Sequence, residues 1–372
     1  MNTPWKMNAD YESVLFYGKI APQILNQSLE TFVLFLEKSP LLSSKKYSSP
    51  FLDYVEEITH HKPEIIEKSS KFQNWWGELK DSEQERILNS KITSTELVQN
   101  KKWCDRTFLV QKENDINLIP LDRTYLVKNP FGMSGQRFLT INPELPHHDL
   151  VIQIKKWLQD GTLVVEPLLN RKLDFSAYVF ADDSIIYYEN MVDKYYQYKG
   201  TIFHNYLKAD LNHLSFFDKI SVNKWKDYEK QISEITKHYG SLMAINGYSI
   251  DSFIYEEENE LKIRALSEVN YRRTMGRVTY ELAKRFNQSR PWAQLIIGKS
   301  ALGDGGFLPF KNKMNDLLWN SNKESGFIIL TSGDTRFEIL FLLASSQLEA
   351  QKLQNELLLR FPSYNFSVKI EH

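Results

Sequence analysis

The clearest alternation of apolar and polar positions in the chain falls at residues 260–270. Leu261, Ile263, Ala265, Ser267 and Val269 take one phase and Lys262, Arg264, Glu268 and Asn270 the other, with Leu266 the exception. Successive side chains of a strand point to opposite faces, so the pattern predicts a strand with a guanidinium, a carboxylate and a carboxamide in a row on one side. Residues 247–255 read as a second strand, and the polar turn at 256–259 joins the two. If Tyr255 pairs with Glu260, odd positions of the first strand face even positions of the second. Asp251 then shares a face with Arg264, Glu268 and Asn270, and a one-residue slip would remove it.

Elsewhere the pattern is shorter. Residues 13–17 read as a first strand, and 23–37 as a helix with Ile24, Leu25, Leu29, Phe32, Val33 and Leu36 at helical spacing. Further helices are predicted at 51–59, 81–88 and 93–103, the last with Thr93 or Ser94 as N-cap. A short strand, 124–127, ends on Lys128. The loop 129–137 and a strand at 138–141 follow, then a helix at 150–158 and a β-branched strand at 162–165 running into Glu166 and Pro167. Proline cannot continue a central ladder, so the chain is expected to leave the sheet there with free backbone groups. Strands at 175–181 and 184–192, an aromatic run at 195–198 and helices at 225–238 and 278–286 complete the middle of the chain. Beyond a segment at 292–297, strands at 327–330 and 337–344 and a helix at 346–360 read as a small α+β element with Leu348, Leu353, Leu357 and Leu358 in its core.

Composition adds limits. A chain of 372 residues suggests two or three compact units. A net charge of −1 gives no electrostatic case for nucleic acid or an anionic membrane. Cys104 is the single cysteine, which excludes an internal disulfide and a cysteine-based metal cluster and fits a reducing compartment. Asp10 and Glu12 before any apolar run do not fit a signal peptide, and the apolar stretch 339–344 is far too short to span a bilayer. The expectation is a soluble, cytoplasmic protein.

Two stretches carry chemistry. In the first, Lys128 precedes Asn129-Pro130-Phe131-Gly132-Met133-Ser134-Gly135, a flexible loop whose backbone N–H groups can fold over phosphates above a point charge. An ordinary hairpin with a long loop has the same composition. In the second, Glu268, Asn270 and Arg272 lie in one phase, oxygen ligands beside a fixed cation, which suits Mg²⁺ holding a polyphosphate. A solvated face of an edge strand explains those residues equally well. Ser134 is not a nucleophile elbow, because Gln136 stands where that motif needs glycine. Gly298-Lys299-Ser300 lacks the first glycine of a P-loop, with Ala293 in its place.

The order of these pieces resembles the ATP-grasp superfamily between Lys91 and Gly276: a strand-borne lysine before a Gly/Ser loop, a Glu-Pro hinge, an acidic-x-Ser strand, an Asp-bearing strand and E-x-N-x-R. The resemblance implies two α+β lobes closing on ATP, preceded by an N-terminal α/β domain and followed by a small α+β appendage. The expected boundaries are 1–90, 91–180, 181–285 and 286–372. It also implies that Lys128 contacts the α- or β-phosphate and that Gly132, Ser134 and Gly135 lie in the mobile phosphate loop. Glu166 and Leu168 would offer backbone groups to adenine, and Asp174 would face the ribose. Asp251, Glu268 and Asn270 would hold Mg²⁺, and Arg272 would face the γ-phosphate or an acyl phosphate. The earlier ATP-contacting lysine is Lys91 or Lys101, with Lys91 preferred. The implied activity is a carboxylate–amine ligase acting through an acyl phosphate, with ATP and Mg²⁺ as cofactors and a small-molecule or peptide carboxylate as substrate. Arg264, Arg273 and Lys199 are candidate anchors for that carboxylate, and each reads equally as a salt-bridged surface residue. A phosphotransferase on the same lobes and a nucleotide sensor without turnover are the competing readings. The loop has two glycines where many members have more, and Asp174 is shorter than the usual glutamate. The C-terminal element either caps the active site or carries a homodimer contact.

Overall fold

The computed structural model describes residues 3–362 apart from 19–22, 105, 121, 132–137, 145–147, 160, 194–197, 205–209, 241–246, 287–289, 300–305 and 334–336. The chain divides into two compact units, one formed by Met1–Lys80, Ile185–Phe217 and Arg272–His372, the other by Asp81–Ser184 and Asp218–Tyr271. No helix among the described residues is long and apolar enough to cross a membrane.

The unit that contains Lys128 and the hairpin has two sheets. The smaller is antiparallel, with Phe108–Val110, Leu163–Pro167, Tyr125–Lys128 and Phe138–Ile141 side by side in that order. Its buried face carries Val110, Tyr125, Val127, Ile141, Leu163 and Val165, closed by Ile154 of the helix His148–Leu158. The larger sheet sets Glu260–Asn270 against Tyr248–Glu257 and that strand against Asn170–Val179, all antiparallel. The helix Val222–Gly240 buries Trp225, Tyr228, Ile232, Ile235 and Tyr239, spaced alternately three and four apart, which is the stripe a helix needs to lie on a sheet. Trp225 and Tyr228 meet Phe175 of the sheet. Burying each such aromatic contributes about 2 kcal/mol.

The hairpin register differs from expectation. Tyr255 lies opposite Lys262 rather than Glu260, and beyond Phe253–Arg264 the ladder slips before resuming at Asp251–Glu268 and Ser249–Asn270. Ala265, Leu266 and Ser267 therefore face the single residue Ser252, a bulge of two extra residues. Both displacements are even, so Asp251 stays on the face of Glu268 and Asn270. The bulge also accounts for Leu266, whose apolar side chain breaks the alternation yet is 1% exposed.

The other unit begins with a parallel sheet in the order Ile65–Ile66, Leu41–Leu42, Trp5–Lys6, Gln73–Asn74. Residues 13–17, expected as a strand, belong instead to the helix Tyr11–Tyr17. Its apolar run is too short for periodicity to separate strand from helix, and burial of Tyr11, Leu15 and Phe16 at spacings of four and one decides for the helix. Gly18, at φ 60°, closes it. The expected helix at 23–37 is two, Gln23–Leu29 and Thr31–Leu36, parted at Glu30, whose carboxylate accepts hydrogen bonds from Ser43 and Tyr47. Five antiparallel strands follow in this unit, in the order Ile185–Val192, Tyr198–His204, Trp292–Lys299, Phe337–Ala344, Gly326–Ile329. The strands of the C-terminal segment thus share a sheet with Tyr198–His204. In the final helix, Gln347–Arg360, Leu357 is buried as expected, but Leu348 is 63% exposed and is not a core residue: it sits in the first turn, ahead of the stripe that Ala350 and Leu357 bury.

Candidate active site

Three neighbouring strands bring Ser176, Asp251 and Glu268 into one cross-strand row, each opposite the next. Asp251 is held from several sides. Its Oδ1 accepts hydrogen bonds from Ser176 Oγ (2.7 Å) and Ser249 Oγ (3.1 Å), and its Oδ2 accepts one from Asn270 Nδ2 (2.9 Å). These neutral donors fix the carboxylate without cancelling its charge. Glu268, next in the row, meets the Lys91 ammonium, with Oε2 2.5 Å from Nζ.

Lys91 reaches Glu268 because its helix begins earlier than the sequence suggests. The helix is Lys91–Asn100, capped by Ser90, whose Oγ accepts from the Ile92 N–H, and not by Thr93 or Ser94. Two further bonds fasten this helix start. The Lys91 N–H donates to Pro130 O (3.1 Å), and Asn89 Oδ1 accepts from the Tyr271 N–H (2.8 Å). Together they tie the end of the hairpin strand, the start of the helix and the base of the loop after Lys128. Lys101 lies at the far end of the helix, about 15 Å along its axis, half-exposed and paired with Glu234.

Lys128 forms an ion pair with Glu166 on the adjacent strand; Glu166 is buried and Lys128 partly so. Arg171 lies 3.8 Å from Glu166 and 2.9 Å from Asp174, with its guanidinium 4.0 Å above the Phe253 ring. Burial pulls the Lys128 ammonium below its ordinary pKa, against the opposing pull of Glu166. Burial would raise the Glu166 carboxyl, but Lys128, Arg264 and Arg171 outweigh it and hold it at about 2. Glu268 also favours the charged form of Lys128, as the smallest of the influences on it.

The other expected residues divide. The strand at Glu166 runs on through Pro167 and stops there, and the Leu168 N–H donates to Thr124 O (2.9 Å), so the edge is less open than the proline suggested. Gly132, Ser134 and Gly135 lie outside the described residues, as do Tyr195 and Tyr196. Arg264 is buried, donating to Leu266 O and Thr107 Oγ1. In the other unit, Arg272 pairs with Glu12 (2.9 Å), and Arg273 pairs with Glu37 (3.3 Å) while lying over the rings of Trp5 and Trp75. Lys199 pairs with Asp193 (3.3 Å). Sequence reasoning gave no role to Ser176, Ser249, Arg171 or Asn89. Ser176 and Ser249 were within reach of the period-2 rule, being two positions from Asp174 and Asp251 on the same faces.

The donor set suits a magnesium–nucleotide complex. Among the described residues no three His, Cys, Asp or Glu side chains are grouped to hold a metal ion. A cation here would rest on two carboxylates and a carboxamide, completed by phosphate or water oxygens, which is the sparse all-oxygen set Mg²⁺ accepts.

No family model and no curated protein matches the sequence. Solved structures do show similarity. An N5-carboxyaminoimidazole synthetase from Staphylococcus aureus is similar across 90% of this chain and 94% of its own, with a TM-score of 0.51 and 14% identity. A carboxyaminoimidazole ribonucleotide synthase from Aspergillus clavatus complexed with ATP matches 79% of this chain and 77% of its own (TM-score 0.46, 11% identity). A phosphoribosylamine–glycine ligase from Thermotoga maritima matches 77% and 78% (TM-score 0.43, 12% identity). The first of these carries the fold assignment, and the chain has the ATP-grasp fold that the motif order implied.

Proposed function

We propose that this chain is an ATP- and Mg²⁺-dependent ligase that activates a substrate carboxylate as an acyl phosphate for attack by an amine. The observation that carries the proposal is the row Ser176–Asp251–Glu268, with Asn270 bonded to Asp251, Lys91 on Glu268 and Lys128 within the field of Glu268. Two fixed cations beside two carboxylates and a carboxamide form a site for a polyphosphate and its metal. The Staphylococcus aureus structure that carries the fold assignment is named as a synthetase, which fits this reading.

In this assignment Asp251, Glu268 and Asn270 hold Mg²⁺, and Lys128 and Lys91 neutralise phosphate charge. Glu166 and Leu168 border the adenine, where the Leu168 carbonyl is the group to consider because its N–H is already used. Asp174 faces the ribose, while Arg272 is committed to Glu12 within the other unit. When bound, ATP supplies the γ-phosphoryl group that makes the carboxylate reactive. The protein contributes positioning, charge neutralisation and exclusion of water from an intermediate that water would destroy. Arg264 and Arg273 are committed to internal partners, so the substrate carboxylate must find other anchors.

ATP-to-ADP conversion measured against a panel of carboxylic acids and amines tests the proposal. ADP release dependent on both substrates, with an amide-forming mass change, is the expected result. A stable phosphorylated product would make the protein a phosphotransferase instead, and nucleotide binding without turnover under every pairing would make it a binding protein.

A further inference from the structure

Two residues in close contact at this site carry opposite charges and are given opposite tasks. Glu268 is assigned to the metal and Lys91 to phosphate, yet in this structure Lys91 Nζ sits 2.5 Å from Glu268 Oε2. The contact is partly buried, with Lys91 the better covered of the two side chains, 14% exposed against 27% for Glu268. Its backbone is fixed by the Ser90 cap and the bond to Pro130 O, so Lys91 is held at the carboxylate by its anchorage as well as by charge. Asp251, one strand away, is saturated differently, by two hydroxyls and an amide.

We propose that Lys91 and Glu268 are each other's placeholder, so that a divalent cation on Glu268 releases Lys91 to meet the nucleotide's phosphates. The proposal rests on the nucleotide reading above and adds an order to it. An ammonium and a divalent cation compete for one carboxylate oxygen. While Lys91 holds it, the metal sees a neutralised ligand and the phosphates see an occupied ammonium. Metal binding resolves both at once, which couples the two ligands without any change of fold. Coupling of this kind is reciprocal: whatever factor the metal adds to nucleotide affinity, the nucleotide adds to metal affinity.

The test is ADP affinity by calorimetry with and without Mg²⁺, and Mg²⁺ affinity without nucleotide, in the wild type, Glu268→Gln, Asp251→Asn, Lys91→Met and the double variant Lys91→Met with Glu268→Gln, with thermal melting to confirm that each variant is folded. Removing a proposed metal ligand should strengthen metal-free ADP binding, by about three- to tenfold, the scale of one partly exposed ion pair. The gain should vanish in the double variant, because it depends on Lys91. Asp251→Asn, which removes equal charge but leaves the Lys91–Glu268 contact in place, should show a smaller gain. Lys91→Met alone should tighten Mg²⁺ binding to the nucleotide-free protein. A Glu268→Gln gain that survives in the double variant, or one matched by Asp251→Asn, would reduce the effect to general repulsion and overturn the placeholder. Absence of ADP binding to the wild type even with Mg²⁺ would overturn the nucleotide reading as well, and that result is distinct from the others.

Discussion

Around Asp251 a carboxylate accepts from neutral donors, Ser176, Ser249 and Asn270, and its neighbour Glu268 pairs with Lys91 and keeps some exposure. Around Glu166, in the same unit, charges alternate through Lys128, Glu166, Arg171 and Asp174, with buried Arg264 adding to the field. The first sets its carboxylates among hydroxyl and amide donors and one ammonium. The second is knit together by ion pairs. The contrast separates an exchangeable site from a fixed one: hydroxyl and amide donors hold a carboxylate ready for a new partner, whereas a buried chain of ion pairs resists losing any member.

The largest expected effect breaks the exchangeable side. Glu268→Gln should lower substrate-dependent ADP release by on the order of 100-fold or more, with little change in thermal midpoint, measured in a coupled assay. Full activity in that variant would remove Glu268 from the metal row. Next comes the fixed side. Glu166→Gln strands Lys128 and Arg171 without their shared carboxylate and should cost about 3 kcal/mol of stability in urea unfolding. A cost as small as that of a surface pair would mean the knot is not closed to water. Acid should show the same contrast more gently. Because the folded Glu166 carboxyl is held at about 2 against an ordinary 4.5, its stabilisation is complete above pH 4.5 and is lost as pH falls from 4.5 toward 2. The wild type should therefore lose urea resistance over that window, and Glu166→Gln should lose less. The smallest effect belongs to Lys101→Ala, which removes only the exposed pair with Glu234 and should leave ADP affinity unchanged.

Much of the exchangeable site could be read from the chain because it lies on strands, where a period of two places side chains without knowledge of the fold. Asp251, Glu268 and Asn270 needed only the parity of the hairpin, and Leu266, the misfit, marked the bulge. Lys91 was harder. Ser90, Thr93 and Ser94 are all competent caps, and only the bonds to Pro130 and Tyr271 select the first. The fixed cluster was largely hidden, since Arg171 turns to Glu166 and Asp174 only because the small sheet and the start of the long strand bring them together. Arg272 and Arg273 were least legible. Their partners, Glu12, Glu37, Trp5 and Trp75, lie some two hundred residues upstream, where no local pattern points to them.

The bulge opposite Ser252 gives this strand spare length. Trimming two residues from Ala265, Leu266 and Ser267 would restore a plain ladder from Arg264 to Glu268 and leave Glu268 and Asn270 looking the same way. Trimming one would leave a single extra residue opposite Ser252, the ordinary bulge, beyond which the ladder can resume with Glu268 still opposite Asp251. The bulge is thus a store of slack in the strand, a place where length can change while the acidic row keeps its side of the sheet.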